Sequence, residues 1–449
     1  MRQTYVFRRK NPHLKSLKSS QTSFGLSPVF IFVLALLTAI SPLATDMYLA
    51  ALPTIAEDLN TTSTNASLTL SAFMIGMAFG QLVVGPLSDK TGRRMPLVIG
   101  MVVCFVSTVA CVIAPTVELL IFARFLMGFT GSIGAVLARS IVTDTTKGLA
   151  TAKLMGIMMM INGFAPVLAP LFGGWILSWG DWRDVFTVLS VITALLMLGV
   201  MLFIKETLPV EKRYTGTTLS VYSELPKVFK IRRYMGFMLT LCFAFAALFS
   251  YVSGSTFVLQ KILGMDEGQF TIVFGINSIG IVIFSGIATK LVGKIGQRII
   301  VNVGVGTMLV VSVLLTLSFM IGISLVPTLV LLFLLASSCG LIFGNASALA
   351  LNEARELSGS ASAVMGTIQA LLGAAAPALV SIAGEHEYMP MALSILGFAV
   401  LAALSLVLTP REESDYSADG LDHGAPAEAE ASDEAEAVEA ELVEVEAAR

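Results

Sequence analysis

Apolar stretches of about twenty residues recur twelve times along this chain, and they decide most of what it can become. Each is long enough to cross roughly 30 Å of hydrocarbon as an α-helix. The spans read from the sequence are 28–52, 66–87, 95–114, 117–141, 152–178 and 183–204, then 234–259, 269–292, 298–320, 325–350, 360–383 and 388–408. Prolines and glycines inside them, Pro42 and Pro166 among them, are better tolerated in lipid than in soluble helices. The expected fold is an all-α membrane protein of twelve transmembrane helices.

Composition agrees. Of 449 residues, 55% are hydrophobic and only 13% charged, with a mean hydropathy of +0.84; no soluble chain of this length could hide so much apolar surface. Cys104, Cys111, Cys242 and Cys339 all lie in apolar segments, where cysteine acts as a small hydrophobe rather than as a disulfide or zinc framework. His13, His386 and His423 form no metal-ligand cluster in the sequence. The net charge of −3 conceals a division, because 14 of the 31 acidic residues lie beyond Pro410. Without that segment 26 basic residues face 17 acidic ones, so a basic membrane body carries an acidic, Ala/Glu-rich extension. Lacking aromatics and a full apolar face, the extension is expected to be disordered or weakly helical.

Lys and Arg set the orientation. Six lie in the arm before the first span, and the second, fourth, sixth, eighth and tenth connections carry 3, 3, 7, 3 and 1. The odd-numbered connections together hold only Arg183 and Lys261. Both termini are therefore expected to be cytoplasmic, and the first run is too long for a cleaved signal peptide. The long polar connection 205–234 separates six spans from six. LSDKTGRR (87–94) is echoed by LVGKIGQR (291–298), and LATAKLMG (149–156) by GSASAVMG (359–366), at equivalent places in the two blocks. Tandem duplication follows, with an arm at 1–27, bundles at 28–205 and 234–408, a linker at 206–233 and the acidic tail at 409–449.

Several motifs converge on one family. GQLVVGPLSDKTGRRMPLVIG (80–100) resembles the second-to-third-helix motif of the major facilitator superfamily, matched at Gly85, Asp89, Gly92, Arg93 and Arg94. ARFLMGFTGSIGAVLARSIVTD (123–144) resembles its fourth-helix motif, with Arg124 inside the span and Arg139 and Asp144 near its end. GFAPVLAPLFGGWI (163–176) is similar to the fifth-helix motif of proton-driven drug exporters, through Gly163, Pro166, Pro170, Gly173 and Gly174; Ala169 replaces the usual glycine before Pro170. WGDWRDVF (179–186) resembles the entrance of the sixth helix. TDMYLAALP (45–53) resembles the first-helix signature of bicyclomycin-resistance-like exporters, with Ala50 where proline is commoner. The resemblance is specific in the first half. In the second, Gly293 stands where the motif has its aspartate. It implies two pseudo-symmetric six-helix bundles that rock around a midplane binding site.

The chemistry of these motifs has its own logic. Asp89 at a span end can cap a helix or pair with Arg93, Arg94 or Arg139, a latch that closes in one conformation and opens in another. Small residues on the fifth span permit close approach to a helix of the other half. Asp46 is the harder residue to explain, since a carboxylate inside a span costs roughly 2.5–3.5 kcal/mol. Counting from outer ends near Pro53 and Pro115 places Asp46 and Arg124 at similar depth, so an acid–base pair would offset that cost. The expected role of the pair is proton coupling, with Asp46 also available to cationic substrates.

Further cavity candidates are Phe245 and Phe249 in the aromatic-rich seventh span, together with Asn277 and Gln369. The expected function is proton-coupled export of small amphipathic drugs or metabolites across the bacterial inner membrane. The alternative is a carrier of the same fold for one physiological solute, in either direction. An enzyme would need clustered nucleophiles or metal ligands, and an ATP-driven pump a phosphate loop; the sequence has neither. The expected partners are substrate, protons and lipid, with no nucleic acid, no cofactor and no metal, and a monomer as the working unit.

Overall fold

The computed structural model describes residues 28–146, 149–213, 225–292, 294–381 and 387–411, and regular structure among them is entirely helical. Eleven helices are long and apolar enough to cross a membrane. The remaining crossing, fifth in order, is the 29-residue helix Leu149–Leu177, whose last ten residues are uniformly apolar apart from two glycines and a proline. The others, in order, are Val29–Asp58, Ser63–Thr91, Arg94–Val112, Val117–Thr145, Trp182–Phe203, Arg232–Ile262, Glu267–Val292, Gln297–Ile321, Leu325–Glu353, Gly359–Val380 and Met389–Leu408. All twelve expected spans are present.

Helix ends follow from local chemistry. Thr62 and Thr116 accept from the amides of Asn65 and Leu119, capping the second and fourth crossings. Asp181 and Asp184 form a reciprocal capping box at the start of the sixth. The first crossing departs from expectation. Its regular helix stops at Asp46, passes through a tight turn at Leu49–Ala51, and resumes from Leu52 to Asp58. It thus runs past the expected end near Pro53 and finishes at Asn60, whose φ of 48° is the left-handed conformation that asparagine tolerates after a helix.

The molecule is dressed for lipid. Large apolar side chains such as Phe122, Leu195, Val310 and Leu404 are exposed, while Ser and Thr are frequent inside. Interior hydroxyls mostly donate to carbonyls three or four residues back, as Thr38 does to Ala35 and Thr240 to Gly236, so their polarity is absorbed by their own helix. Across the halves, the second crossing packs on the eleventh and the fifth on the eighth. Ser71 donates to the Ala374 carbonyl at 2.7 Å within the first of these contacts.

More cross-half bonds gather at the end built by odd-numbered connections. Thr54 donates to Glu267 at 3.0 Å, Gln260 to the Ala50 carbonyl at 3.0 Å, and Thr64 to the Ser381 carbonyl at 2.8 Å. Lys261 pairs there with Glu57. Gln260 and Lys261 project from a π-helical turn, Val258–Ile262, that ends the seventh crossing; such turns re-aim side chains at functional sites.

Candidate coupling and transport site

Asp46 is buried, 9% exposed, and makes no hydrogen bond or ion pair with any described residue. Arg124 is fully buried on the fourth crossing. No direct hydrogen bond or ion pair of the kind expected from their depths joins the two, although the Arg124 charge lies near enough to act on Asp46. The Arg124 guanidinium makes its contacts with aromatic rings and a main-chain carbonyl. It lies between the rings of Tyr48 at 4.3 Å and Phe73 at 4.4 Å, with Phe186 at 5.7 Å, and one nitrogen donates to the Ala44 carbonyl at 2.7 Å. The carbonyl is available because the helix stops at Asp46: the last donor back into it is the Met47 amide, which bonds the Leu43 carbonyl and leaves that of Ala44 to the guanidinium. Faces of desolvated aromatic rings attract a cation and help to hold the guanidinium where it lies. Nε and the second terminal nitrogen of Arg124 remain without a partner among the described residues.

Tyr48 is itself fixed, its hydroxyl 3.1 Å from that of Thr69 and its ring 5.5 Å from Phe186. The WGDWRDVF stretch anchors the end of the first crossing, since Trp182 and Arg183 both donate to Asp58.

The fifth crossing meets this region through glycine. A Cβ on Gly173 would run into the main chain of Met47, the residue after Asp46, and one on Gly174 into Thr271 of the eighth crossing. Pro170 and Ala169 are buried beside them. Gly163 and Pro166 belong to the same helix, in a stretch whose side chains lie outside the described ones. One helix of the first half therefore presses simultaneously on the broken first crossing and on the second half.

Of the cavity candidates, Phe245 and Phe249 do associate, with centroids 4.5 Å apart and Phe343 6.0 Å from Phe245. Gly373 of the eleventh crossing faces Phe245. Asn277 is committed to the buried Tyr251 hydroxyl at 2.7 Å, so it ties the eighth crossing to the seventh instead of presenting a free amide. Gln369 is half-buried with no described hydrogen-bond partner.

The motif residues at the even-connection end form a compact network. Arg93 pairs with Asp89 and, at 3.0 Å, with Asp144, and donates to Ser88 at 2.7 Å. Burial works against its charge, but Asp144 and Asp89 outweigh it and hold the guanidinium above its ordinary value. Arg94 turns away to donate to the Met201 carbonyl at 3.2 Å, and Arg139 is exposed and pairs with no described acid. Gly85 has open space where a Cβ would stand. The expected partners of Asp89 thus reduce to Arg93 alone.

The central member of the network escaped the sequence reading. Glu206 accepts from the amides of Arg93 at 2.9 Å, Arg94 at 3.3 Å, Thr207 at 3.1 Å and Leu208 at 3.0 Å, and pairs with Arg213 at 3.6 Å. Burial raises its proton affinity, but the amides of Leu208, Arg93 and Arg94, with the Arg213 charge, more than reverse this and hold the carboxyl below its usual range. Gly92 adopts a φ of +96°, and a Cβ there would meet this carboxylate, so both backbone and space demand glycine. In the second half, Arg298 occupies the place corresponding to Arg94 and caps the twelfth crossing, donating to Thr409 and Pro410 at 2.6 Å each. Gly293 lies outside the described residues.

The sequence profile of the Major Facilitator Superfamily matches residues 34–377. An uncharacterized MFS-type transporter of Bacillus subtilis, YdgK, is 37% identical over 377 residues, which is 83% of this chain and 93% of that protein. The bicyclomycin resistance protein homolog of Haemophilus influenzae is 26% identical over 377 residues, 84% of this chain and 95% of its own. Among solved structures, a single-site mutant of the nucleoside transporter NupG superposes with a TM-score of 0.66 at 14% identity, covering 85% of this chain and 99% of that one. The xylose transporter XylE of E. coli, in a partially occluded inward-open conformation, superposes with a TM-score of 0.61 at 15% identity over 84% of this chain and 96% of its own. With twelve helices dressed for lipid and a profile match across most of its length, the chain belongs to the Major Facilitator Superfamily and is a multi-pass membrane transporter of small molecules, not an enzyme.

Proposed function

We propose that this transporter exports small amphipathic drugs or metabolites in exchange for protons, by alternating access, in a bacterial inner membrane with both termini cytoplasmic. The observation that carries the reading is the state of Asp46: buried, without a hydrogen bond or ion pair to a described residue, within reach of the Arg124 charge, and placed where the first crossing breaks. A carboxyl held by no fixed bond can take up and release a proton without dismantling structure. Arg124, with two open nitrogens, supplies a cation that such a carboxylate can meet when the halves rock. The fifth crossing transmits that motion, since Gly173 and Gly174 couple the break in the first crossing to the eighth. Asp89, Arg93, Asp144 and Glu206 serve as the conformational latch, and Phe245, Phe249 and Phe343 supply an adaptable aromatic wall for substrate.

With the odd-connection end outside, the bonds gathered there correspond to an arrangement closed to the exterior. Substrate class is taken from the relatives, one named for bicyclomycin resistance and others, in Escherichia coli and Salmonella, as multidrug resistance proteins MdtL. The proton gradient is the energy source, no cofactor takes part, and one chain is the working unit.

Reconstitution into liposomes with an imposed pH gradient tests this, using bicyclomycin, chloramphenicol-like compounds and cysteine as cargo. Wild type is expected to move drug against its gradient, and Asp46→Asn to fall to background while inserting normally. Gradient-coupled transport by Asp46→Asn refutes the assignment of the coupling carboxyl. Wild-type transport of one metabolite and none of the drugs replaces the multidrug reading with the single-solute carrier.

A further inference from the structure

The two ends of the helical bundle differ sharply in free charge. At the odd-connection end acids dominate, including Glu118, Asp181, Asp266 and Glu387, and the cations among the described residues there, Arg183 and Lys261, are already paired with Asp58 and Glu57. At the even-connection end the balance reverses. Asp89 and Asp144 are taken by Arg93, Glu206 by Arg213, and Glu353 by Arg233, which leaves Glu211 as the remaining exposed acid among the described side chains of these connections. Lys90, Arg139, Lys230, Lys290, Lys294 and Arg355 are exposed there, and none has an acidic partner among the described residues. They are distributed over five connections and both halves, so the surplus covers the face instead of forming one spot.

The twelfth crossing ends on this same face, at Leu408, and the chain continues past Arg411 with 38 residues, 412–449, that hold 14 Asp and Glu. The function proposed above makes no use of that segment, and the present inference stands apart from it. We propose that residues 412–449 dock across the even-connection face, their carboxylates pairing with these uncommitted cations of both halves. Charge complementarity selects this face and excludes the other, which is acidic and lies across the bilayer. Tethering gives the segment an effective concentration on the order of millimolar, with no partner to recruit. Its contour, up to roughly 3.3 Å per residue, reaches every one of the six cations from Arg411. Anionic lipid headgroups share the chemistry but are not attached at the edge of the site. Because the pairs form in water, they weaken as salt shortens the range of each charge.

A benzophenone side chain replacing Ala435 in the full-length protein, reconstituted in zwitterionic lipid, reads the contact by photo-crosslinking and peptide mapping. Adducts are expected on the second, fourth, sixth, eighth and tenth connections, within one molecule. They should fall at least about fivefold when salt rises from about 0.05 to about 0.5 M, where screening shortens from over 10 Å to a few Å. The same loss is expected when the Asp and Glu of 412–449 are changed to Asn and Gln, a variant that leaves the membrane body intact. A combined Lys90→Gln, Lys290→Gln and Lys294→Gln variant should shift adducts away from the neutralised connections. Adducts between molecules, adducts insensitive to salt and tail charge, or the absence of adducts would each overturn the proposal. Loss of adducts on adding anionic phospholipid would assign the face to headgroups and overturn it equally.

Discussion

Gly173 of the fifth crossing rests directly on the main chain of Met47, the residue that follows Asp46. No side chain separates the two helices there, so the contact cannot absorb an added methyl by a rotamer change. A displacement of either helix must therefore be felt by the other.

Replacing Gly173 by Ala forces backbone apart at that contact. Overpacking typically costs about 1–3 kcal/mol, and here it must move a helix. Proton-coupled transport is expected to fall at least about tenfold, the counterpart of roughly 1.4 kcal/mol. Gly306→Ala, with open space at its Cβ, should transport at wild-type rate. Initial rates in proteoliposomes compare the two, and equal rates would dissociate the fifth crossing from the break.

The aromatic seat of Arg124 predicts that lysine is a poor replacement. An ammonium cannot lie flat between Tyr48 and Phe73 while reaching the Ala44 carbonyl. Arg124→Lys should lose transport, and Tyr48→Leu should lower the melting temperature through a desolvated cation–π contact worth about 2 kcal/mol. Scanning fluorimetry of the purified variants measures the second effect.

Glu206 gives the network around Arg93 a pH dependence. Its folded-state carboxyl lies below the ordinary value of 4.5, so its contribution is fully present above that value and is lost as pH falls through the folded one. The stability gap between wild type and Glu206→Gln is therefore expected to stay constant from about pH 5 to 8 and to close only on stronger acidification. Partial exposure limits the gap to about 1 kcal/mol. A gap that closes near neutrality would mean that another group controls the network.

Glu57 and Lys261 join the halves at the odd-connection end as an exposed pair, worth about 0–1 kcal/mol. Glu57→Gln should shift the conformational balance toward opening there by no more than about fivefold. A cysteine placed by Ser253→Cys, buried in the closed arrangement, reports this through its rate of thiol labelling, the four native cysteines being buried.

The twelve crossings were legible because spanning a bilayer demands length and apolarity, and both are local properties. The break in the first crossing was not, since the apolar run continues through Met47 and Leu52 and nothing local marks the turn. Tyr48 stood inside a recognised stretch, but its partners Phe73 and Phe186 come from the second and sixth crossings, and only the fold brings them together. Matched depth revealed neither that long-range seat nor that no direct bond joins Asp46 to Arg124. Glu206 was hidden in a linker rich in Lys and Arg, where it is one of three glutamates among seven cations and carries no periodic signature. The glycine motif of the fifth crossing was readable as a packing face, while its double target, Met47 and Thr271, was not.

The interruption of the first crossing places a titratable group at the terminus of a rigid rod. Ionised, Asp46 adds to the negative pole of that rod; neutral, it does not, so proton occupancy changes the energetic cost of ending the helix where it ends. In the proposed cycle chemistry and mechanics thus share a single residue, and the break ahead of the outer segment Leu52–Asp58 would serve as both joint and trigger.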